Sequence, residues 1–229
     1  MPSRRLQLRE ELLLAFSGAA DGTPAWVLEL RDGDDEGFFA HGGPAWTVHE
    51  GMGTLVAGIR ALLMQALHPG AMAGVHDWSR YRKDPLGRLT GTVRWIVVTT
   101  YGSTEQARRE TARVMRFHAR VEGEYRDNAG DVRAYSAGDQ DLVRWVHLAF
   151  TDAFLGSHKV WGGPIPHQPG ESGPDAYVAD WATAGELMGV EAPPRSEAEL
   201  RQQLAGFLPQ LRRDERVDDV VRFIRKPPL

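Results

Sequence analysis

Residues 113–123, RVMRFHARVEG, place one histidine on the apolar side of an otherwise basic segment. On a helical wheel of 3.6 residues per turn, the side that carries His118 also carries Val114, Met115 and Val121. We therefore expect this imidazole to point into the core and the neighbouring arginines to form a solvated face. Two roles remain open for it: a buried neutral ring bonded to a carbonyl, or a ligand.

A second predicted helix, from a cap at Asp84 to about Thr100, carries Arg88 and Thr92 one turn apart beside an apolar surface. An isolated buried charge is expensive, so Arg88 needs water, a carboxylate such as Asp84, or a ligand. In the last case Arg88 and Thr92 form a donor pair that faces a cofactor or bound oxygen. Both alternatives stay open at this point.

Two further histidines are candidates for the same kind of chemistry. His147 lies among aromatic and aliphatic residues in a long helix that begins at Asp139 or Asp141. His68 precedes Pro69 at the predicted end of a helix, where an imidazole can satisfy terminal carbonyls. For each, a structural role and a cofactor-binding role are both possible. Haem iron uses such an imidazole, presented from an apolar wall, as its axial ligand.

Composition excludes several classes of protein. The chain has 229 residues, 42% of them hydrophobic, a net charge of −4 and no cysteine. Disulfides, thiolate metal sites and cysteine nucleophiles are therefore excluded, and nothing favours binding to nucleic acid. We find no secretion signal and no apolar run long enough to span a membrane, so we expect a cytoplasmic protein.

The pattern of caps, breakers and apolar periodicity predicts a mainly α fold with around eight helices and one small β-hairpin. The predicted helices cover about residues 4–17, 23–33 with Thr23 as the N-cap, 53–67, 84–100, 104–123, 139–161, 175–188 and 214–225. A further helix begins at a capping box that Ser196 and Glu199 form. Residues 34–51 are predicted to be a glycine-rich loop with aromatic anchors, 71–84 a short connection, 124–136 a hairpin that turns at residues 128–130, and 162–174 a loop that acts as a mobile lid. We expect one domain over residues 1–229, with N-terminal helices and a loop in 1–45, a core in 46–211 and a C-terminal helix in 212–229.

Three segments resemble the MpaB and latex-clearing-protein family of rubber-oxygenase domains. They are residues 64–123, MQALHPGAM to RFHARVEG; residues 135–155, YSAGDQDLVRWVHLAFTDAFL; and residues 186–200, ELMGVEAPPRSEAEL. The resemblance implies a globin-like helical core around haem b and an oxygenase that cleaves isoprenoid double bonds. It also implies that His118 is the proximal iron ligand and that Arg88 and Thr92 are the distal polar pair. Gly91 stands where rubber oxygenases carry a lysine, so lysine capping of the iron is not expected.

The sequence therefore predicts a haem b-dependent oxygenase that uses dioxygen on an apolar small molecule such as an isoprenoid. The predicted cofactor-binding residues are His118, Arg88, Thr92, His147 and His68, with Arg80 and Arg82 near the haem propionates; the predicted pocket walls are Leu63, Val93, Val97 and Phe150. The alternatives are a non-catalytic carrier or sensor of haem or an apolar ligand, and a pseudo-enzyme that binds a partner. The chain ends at RKPPL, where related sequences continue, so we expect a shortened C-terminus. Oligomeric state is not predicted.

Overall fold

Helices dominate the structure. The computed structural model describes residues 23–51, 53–79 and 85–225, without the side chains of Leu55, Pro85, Leu86, Arg88 and Leu89. The described helices are α1 (Ala25–Glu29), α2 (Pro44–His49), α3 (Gly53–Ala66), α4 (Pro69–Trp78), α5 (Pro85–Tyr101), α6 (Thr104–His118), α7 (Gln140–Trp161), α8 (Gly173–Leu187), α9 (Glu197–Phe207) and α10 (Glu215–Arg225). One antiparallel sheet of two strands, β1 (Glu122–Arg126) and β2 (Val132–Ser136), completes the described part. The predicted mainly α fold with one hairpin is confirmed.

Helix α7 is the centre of the fold, and α3 packs antiparallel along it. Near the start of α7, the Trp145 indole donates to the carbonyl of Gln65 at the end of α3. Near the end of α7, the Ser157 hydroxyl donates to the carbonyl of Gly53 at the start of α3. The two helices approach closely because small residues recur at four-residue spacing along both; those that are fully buried are Ala57, Ala61, Ala149 and Ala153.

The predicted connection over residues 71–84 was wrong, because most of it is helix α4. Proline at the first helical position needs no amide partner, so Pro69 begins this helix while it also ends α3. The ring of His68 is the N-cap: its Nδ1 accepts from the amides of Gly70 at 3.2 Å and Ala71 at 3.4 Å. His68 thus satisfies amides at the start of α4 rather than carbonyls at the end of α3.

Helices α5 and α6 form a tight pair. Ser103 begins α6 through a capping box: its hydroxyl accepts from the amide of Gln106, whose side chain accepts from the Ser103 amide. Helix α6 ends at His118 rather than at the predicted Gly123, because the chain turns there and enters β1. His118 is therefore the last residue of α6, four residues before β1 begins at Glu122.

The hairpin forms where it was predicted. Glu122 pairs with Ser136 and Arg126 with Val132 across the two strands. The turn between them uses Gly130 at φ +91°, a left-handed conformation that glycine adopts without a steric penalty. On β2, Tyr135 is buried against the helical core.

The ends of the chain agree with the predictions in part. Helix α10 forms where it was predicted, whereas the predicted glycine-rich loop over 34–51 was wrong over residues 44–49, which form α2. The predicted helix over 23–33 is α1 followed by a 3-10 turn, capped at Pro24 rather than at Thr23. The predicted helix over 4–17 lies outside the described residues. Among the described helices, none combines the length and the apolar character needed to cross a membrane.

Candidate functional site

A cavity of about 480 Å³ lies between helices α4 to α8 and strand β2. This volume is in the range of small-molecule and cofactor sites. Most of its lining is apolar or glycine; the aromatic and aliphatic residues are Val75, Trp78, Trp95, Val114, Phe117, Val121, Tyr135, Leu142, Val143, Val146, Phe150, Trp181 and Met188. The polar lining is sparse, and three of its members are predicted site residues: Thr92, His118 and His147.

His118 reaches this cavity from the last turn of α6 and is half-buried. The side of α6 that carries His118 is packed against the core near the start of the helix, where Ala107 and Thr111 are buried. It is open further on, where Met115 is 45% exposed, contrary to the predicted inward position. The predicted seam therefore holds for the first half of α6 and becomes a cavity wall in the second half.

Thr92 lines the cavity from α5, and Arg88 lies one helical turn before it. The Arg88 side chain is outside the described part of the structure, so its distal role stays a prediction. Gly87 and Gly91 line the same wall one turn apart. A Cβ added at Gly91 would meet no atom within 4 Å. This stretch of α5 thus presents bare backbone to open space, which suits the close approach of a flat ligand.

His147 lines the cavity from the middle of α7 and is only 7% exposed. Its ring lies directly over Gly185 of α8, where an added Cβ would come within 2.8 Å of Cε1 and 3.0 Å of Nε2. Burial lowers the pKa of His147 to about 4, so the ring is neutral at pH 7. Its Nε2 is buried and has no hydrogen-bond partner in the described residues.

His49 is also a buried imidazole, but both of its ring nitrogens have hydrogen-bond partners. Its Nδ1 and Nε2 share hydrogen bonds with the hydroxyls of Thr100 at 2.9 Å and Tyr177 at 3.1 Å. Its ring packs edge-on against Trp181, with the ring centroids 4.4 Å apart. Burial, and to a lesser extent the charge of His158, lowers the pKa of His49 to about 3. Sequence reasoning did not single out His49, which is a packed, fully bonded histidine behind the cavity wall.

The other predicted site residues are not brought to the cavity by described contacts. His68 does not line it; its Nε2 shares a hydrogen bond with Gln210 at 3.2 Å, and burial lowers its pKa. Its predicted cofactor-binding role stays a prediction, as do the roles of Arg80 and Arg82, which lie outside the described residues.

Only one of the four predicted pocket walls was right. Phe150 lines the cavity, whereas Leu63, Val93 and Val97 are not among its lining residues. Leu63 packs with the cluster that α10 forms, and Val93 is 36% exposed. Helical periodicity identifies an inward side but not which cavity or neighbouring helix that side meets.

An ion-pair network beside the cavity was missed. Glu110 is 3% exposed, and its carboxylate accepts from Arg94 Nε at 3.0 Å and from Arg113 Nη2 at 2.6 Å. Arg113 also lines the cavity, so it is not part of a fully solvated face as predicted. The three-residue spacing of Glu110 and Arg113 is a signal in the sequence, but the approach of Arg94 from α5 is decided by tertiary packing.

Comparison with known proteins gives one family. The family model described as "ER-bound oxygenase mpaB/B'/Rubber oxygenase, catalytic domain" matches residues 46–229, which is most of the chain. No curated protein and no solved structure is significantly similar to the chain.

Proposed function

The chain belongs to the mpaB and rubber oxygenase catalytic-domain family, and we propose that it is a haem b-dependent oxygenase of an apolar small molecule. The family is one of oxygenases, which implies a small-molecule substrate and dioxygen. Haem b and the apolar character of the substrate are the finer parts of the proposal. They are supported by the cavity and its sparse polar groups.

The residues around the cavity fit a haem group. A porphyrin supplies the equatorial ligands of its iron, so the protein needs to add only a lone imidazole, and His118 offers one at the cavity wall. No group of three or more His, Cys, Asp or Glu suited to a bare metal ion occurs among the described residues. The glycine face of α5 leaves room for a flat ring.

Each residue has a distinct proposed role. With haem b bound, His118 would hold the iron, and the Thr92 hydroxyl and the Arg88 guanidinium would donate hydrogen bonds to the oxygen substrate. Arg80 and Arg82 are proposed partners of the propionates. Bound haem b supplies the one-electron and dioxygen chemistry.

Part of the lining is tightly packed. Trp95 and Trp181 pack with their ring centroids 6.0 Å apart, and the Trp95 indole donates to the Thr111 hydroxyl at 3.2 Å, which fixes its orientation. Aromatic side chains at this wall would lower the local dielectric and so strengthen the hydrogen bonds that Thr92 donates.

The observation that carries the proposal is that His118 and Thr92, on different helices, line one largely apolar cavity. The test is a haemin titration of the wild type and of His118→Ala, followed by absorption spectroscopy. We expect a sharp Soret band at one equivalent in the wild type and its loss or shift in His118→Ala. His167→Ala is the matched control, because His167 is exposed and its ring nitrogen bonds only to the adjacent Gln168 carbonyl among the described residues.

An unchanged haemin affinity and spectrum in His118→Ala would contradict the iron-binding role. Oxygen uptake by the haem-loaded protein, with a reductant and a panel of apolar substrates, then separates an oxygenase from a carrier. A Thr92→Val variant should reduce oxygen uptake while it leaves haemin affinity within about fivefold, since one hydrogen bond is worth about 1 kcal/mol.

A further inference from the structure

The part of the cavity between α7 and α8 is apolar apart from the imidazole of His147 and the indole N–H of Trp181. Its walls carry no other titratable side chain on these two helices; the apolar residues there are Val143, Val146, Phe150, Trp181, Ala184 and Met188. On α7, His147 lies between Val146 and Phe150 in the sequence and contributes the imidazole of this wall. A ligand in this part of the cavity therefore meets a largely apolar surface in which His147 is the one titratable side chain from these two helices.

This imidazole is costly as it stands. A buried polar group without a hydrogen-bond partner destabilises a fold relative to one that is bonded. The chain satisfies both nitrogens of the equally buried His49 but leaves Nε2 of His147 without a partner in the described residues. The ring also has little freedom to turn toward α8, because Gly185 lies directly beneath it.

We infer that His147 recognises the oxygen of a substrate that is otherwise apolar and bears a hydroxyl or carbonyl group. A neutral imidazole has one donor and one acceptor nitrogen, so it donates to a carbonyl or accepts from a hydroxyl. The surrounding aliphatic and aromatic wall binds the hydrocarbon part, and the hydrogen bond sets its orientation in the cavity. This inference rests on the proposed function, whose substrate class it narrows, and it assigns His147 to substrate rather than to iron.

The test compares two probes that share a branched carbon skeleton: geraniol, which has a hydroxyl, and myrcene, which has none. Binding is measured by calorimetry for the wild type, His147→Leu and His147→Gln, with the protein as purified and after saturation with haemin. We expect His147→Leu to weaken geraniol binding by about 3- to 10-fold, the worth of one net hydrogen bond, and to leave myrcene binding equal or tighter. His147→Gln should retain geraniol binding within about threefold, because an amide also donates and accepts.

Met188→Leu is the matched control, since Met188 lines the same wall without a polar hydrogen; it should change the affinity for both probes by the same factor. Each comparison between variants uses one probe, so the different water solubilities of geraniol and myrcene do not affect the measured change in affinity. An equal effect of His147→Leu on both probes, or a wild type that binds neither, overturns the inference. A water molecule held by His147 would give that equal effect.

The haemin titration keeps the two proposals apart. A wild type that binds haemin through His118 but shows no His147-dependent preference for geraniol retains the haem proposal and loses the substrate class. A preference for geraniol that depends on His147, in a protein that binds no haemin, gives the reverse result.

Discussion

The buried ring of His147 should make the fold sensitive to mild acid, and His147→Leu should remove part of that sensitivity. Burial lowers the pKa of His147 from 6.5 to about 4, so the unfolded chain binds a proton in a range where the folded protein does not. Stability is then fully present above about pH 6.5 and is lost as the pH falls toward about 4. Each pH unit in this window costs about 1.4 kcal/mol per histidine.

Between pH 7 and pH 5 the cost from His147 is therefore about 2 kcal/mol. His49, whose pKa burial lowers to about 3, adds a loss of the same sign over the same interval. The His147→Leu variant keeps the contribution of His49 and loses that of His147. At pH 7 the substitution should leave the free energy of unfolding unchanged or raise it, because the Nε2 atom that it removes has no hydrogen-bond partner among the described residues.

The assay is urea unfolding, followed by circular dichroism at pH 7 and pH 5 without added haemin, for the wild type, His147→Leu and His167→Ala. We expect the difference in unfolding free energy between the two pH values to be about 2 kcal/mol smaller in His147→Leu than in the wild type. The exposed His167→Ala control should match the wild type. Equal losses in the wild type and in His147→Leu would show that His147 takes up its proton without unfolding, and would refute its burial as a neutral ring.

Two further substitutions test the packing around the cavity. Gly185→Ala should lower the free energy of unfolding by about 1–3 kcal/mol in urea titrations, because its Cβ would fall within 2.8 Å of the His147 ring. The control is Gly206→Ala, which should not destabilise the protein because a Cβ at Gly206 meets open space. Similar losses in both variants would contradict the close approach of Gly185 to His147. Glu110→Gln should lower the free energy of unfolding by about 1–3 kcal/mol in the same assay, because a buried carboxylate loses charge-assisted hydrogen bonds. The control is Glu105→Gln, which removes the charge of an exposed ion pair and should cost less than about 1 kcal/mol. A loss as large as that of Glu110→Gln would contradict the role of burial.

Local signals predicted most of the helices and the hairpin. Helix α7 begins after Asp139, as one of the two predicted caps, and the strands turn at the predicted Asn128 to Gly130 segment. Ser196 accepts from the amide of Glu199 as predicted, although the Glu199 carboxylate bonds the amide of Arg195 rather than closing the capping box. Caps and turns are short-range interactions, so their residues are adjacent in the sequence.

The same local rules failed where one residue serves two elements. The sequence predicts that a helix ends at Pro69, but it does not predict that the next helix begins at the same residue. Helix α4 supplies a wall of the cavity through Gly70, Gly74 and Trp78, so this local error also hid part of the site. Proline is compatible with both events, and nearby residues alone do not distinguish them.

By itself the sequence determined most of the helices and predicted that His118, Thr92 and His147 lie on their inward sides, because helical periodicity is a property of adjacent residues. Only the tertiary structure decided that these three side chains line one cavity, that Leu63 packs elsewhere, and that Glu110 is neutralised by Arg94 as well as Arg113. The contrast between His49 and His147 has the same origin. Both are buried imidazoles in helices. His49 finds a hydrogen-bond partner, Tyr177, on a helix far away in the sequence, whereas Nε2 of His147 has no partner among the described residues.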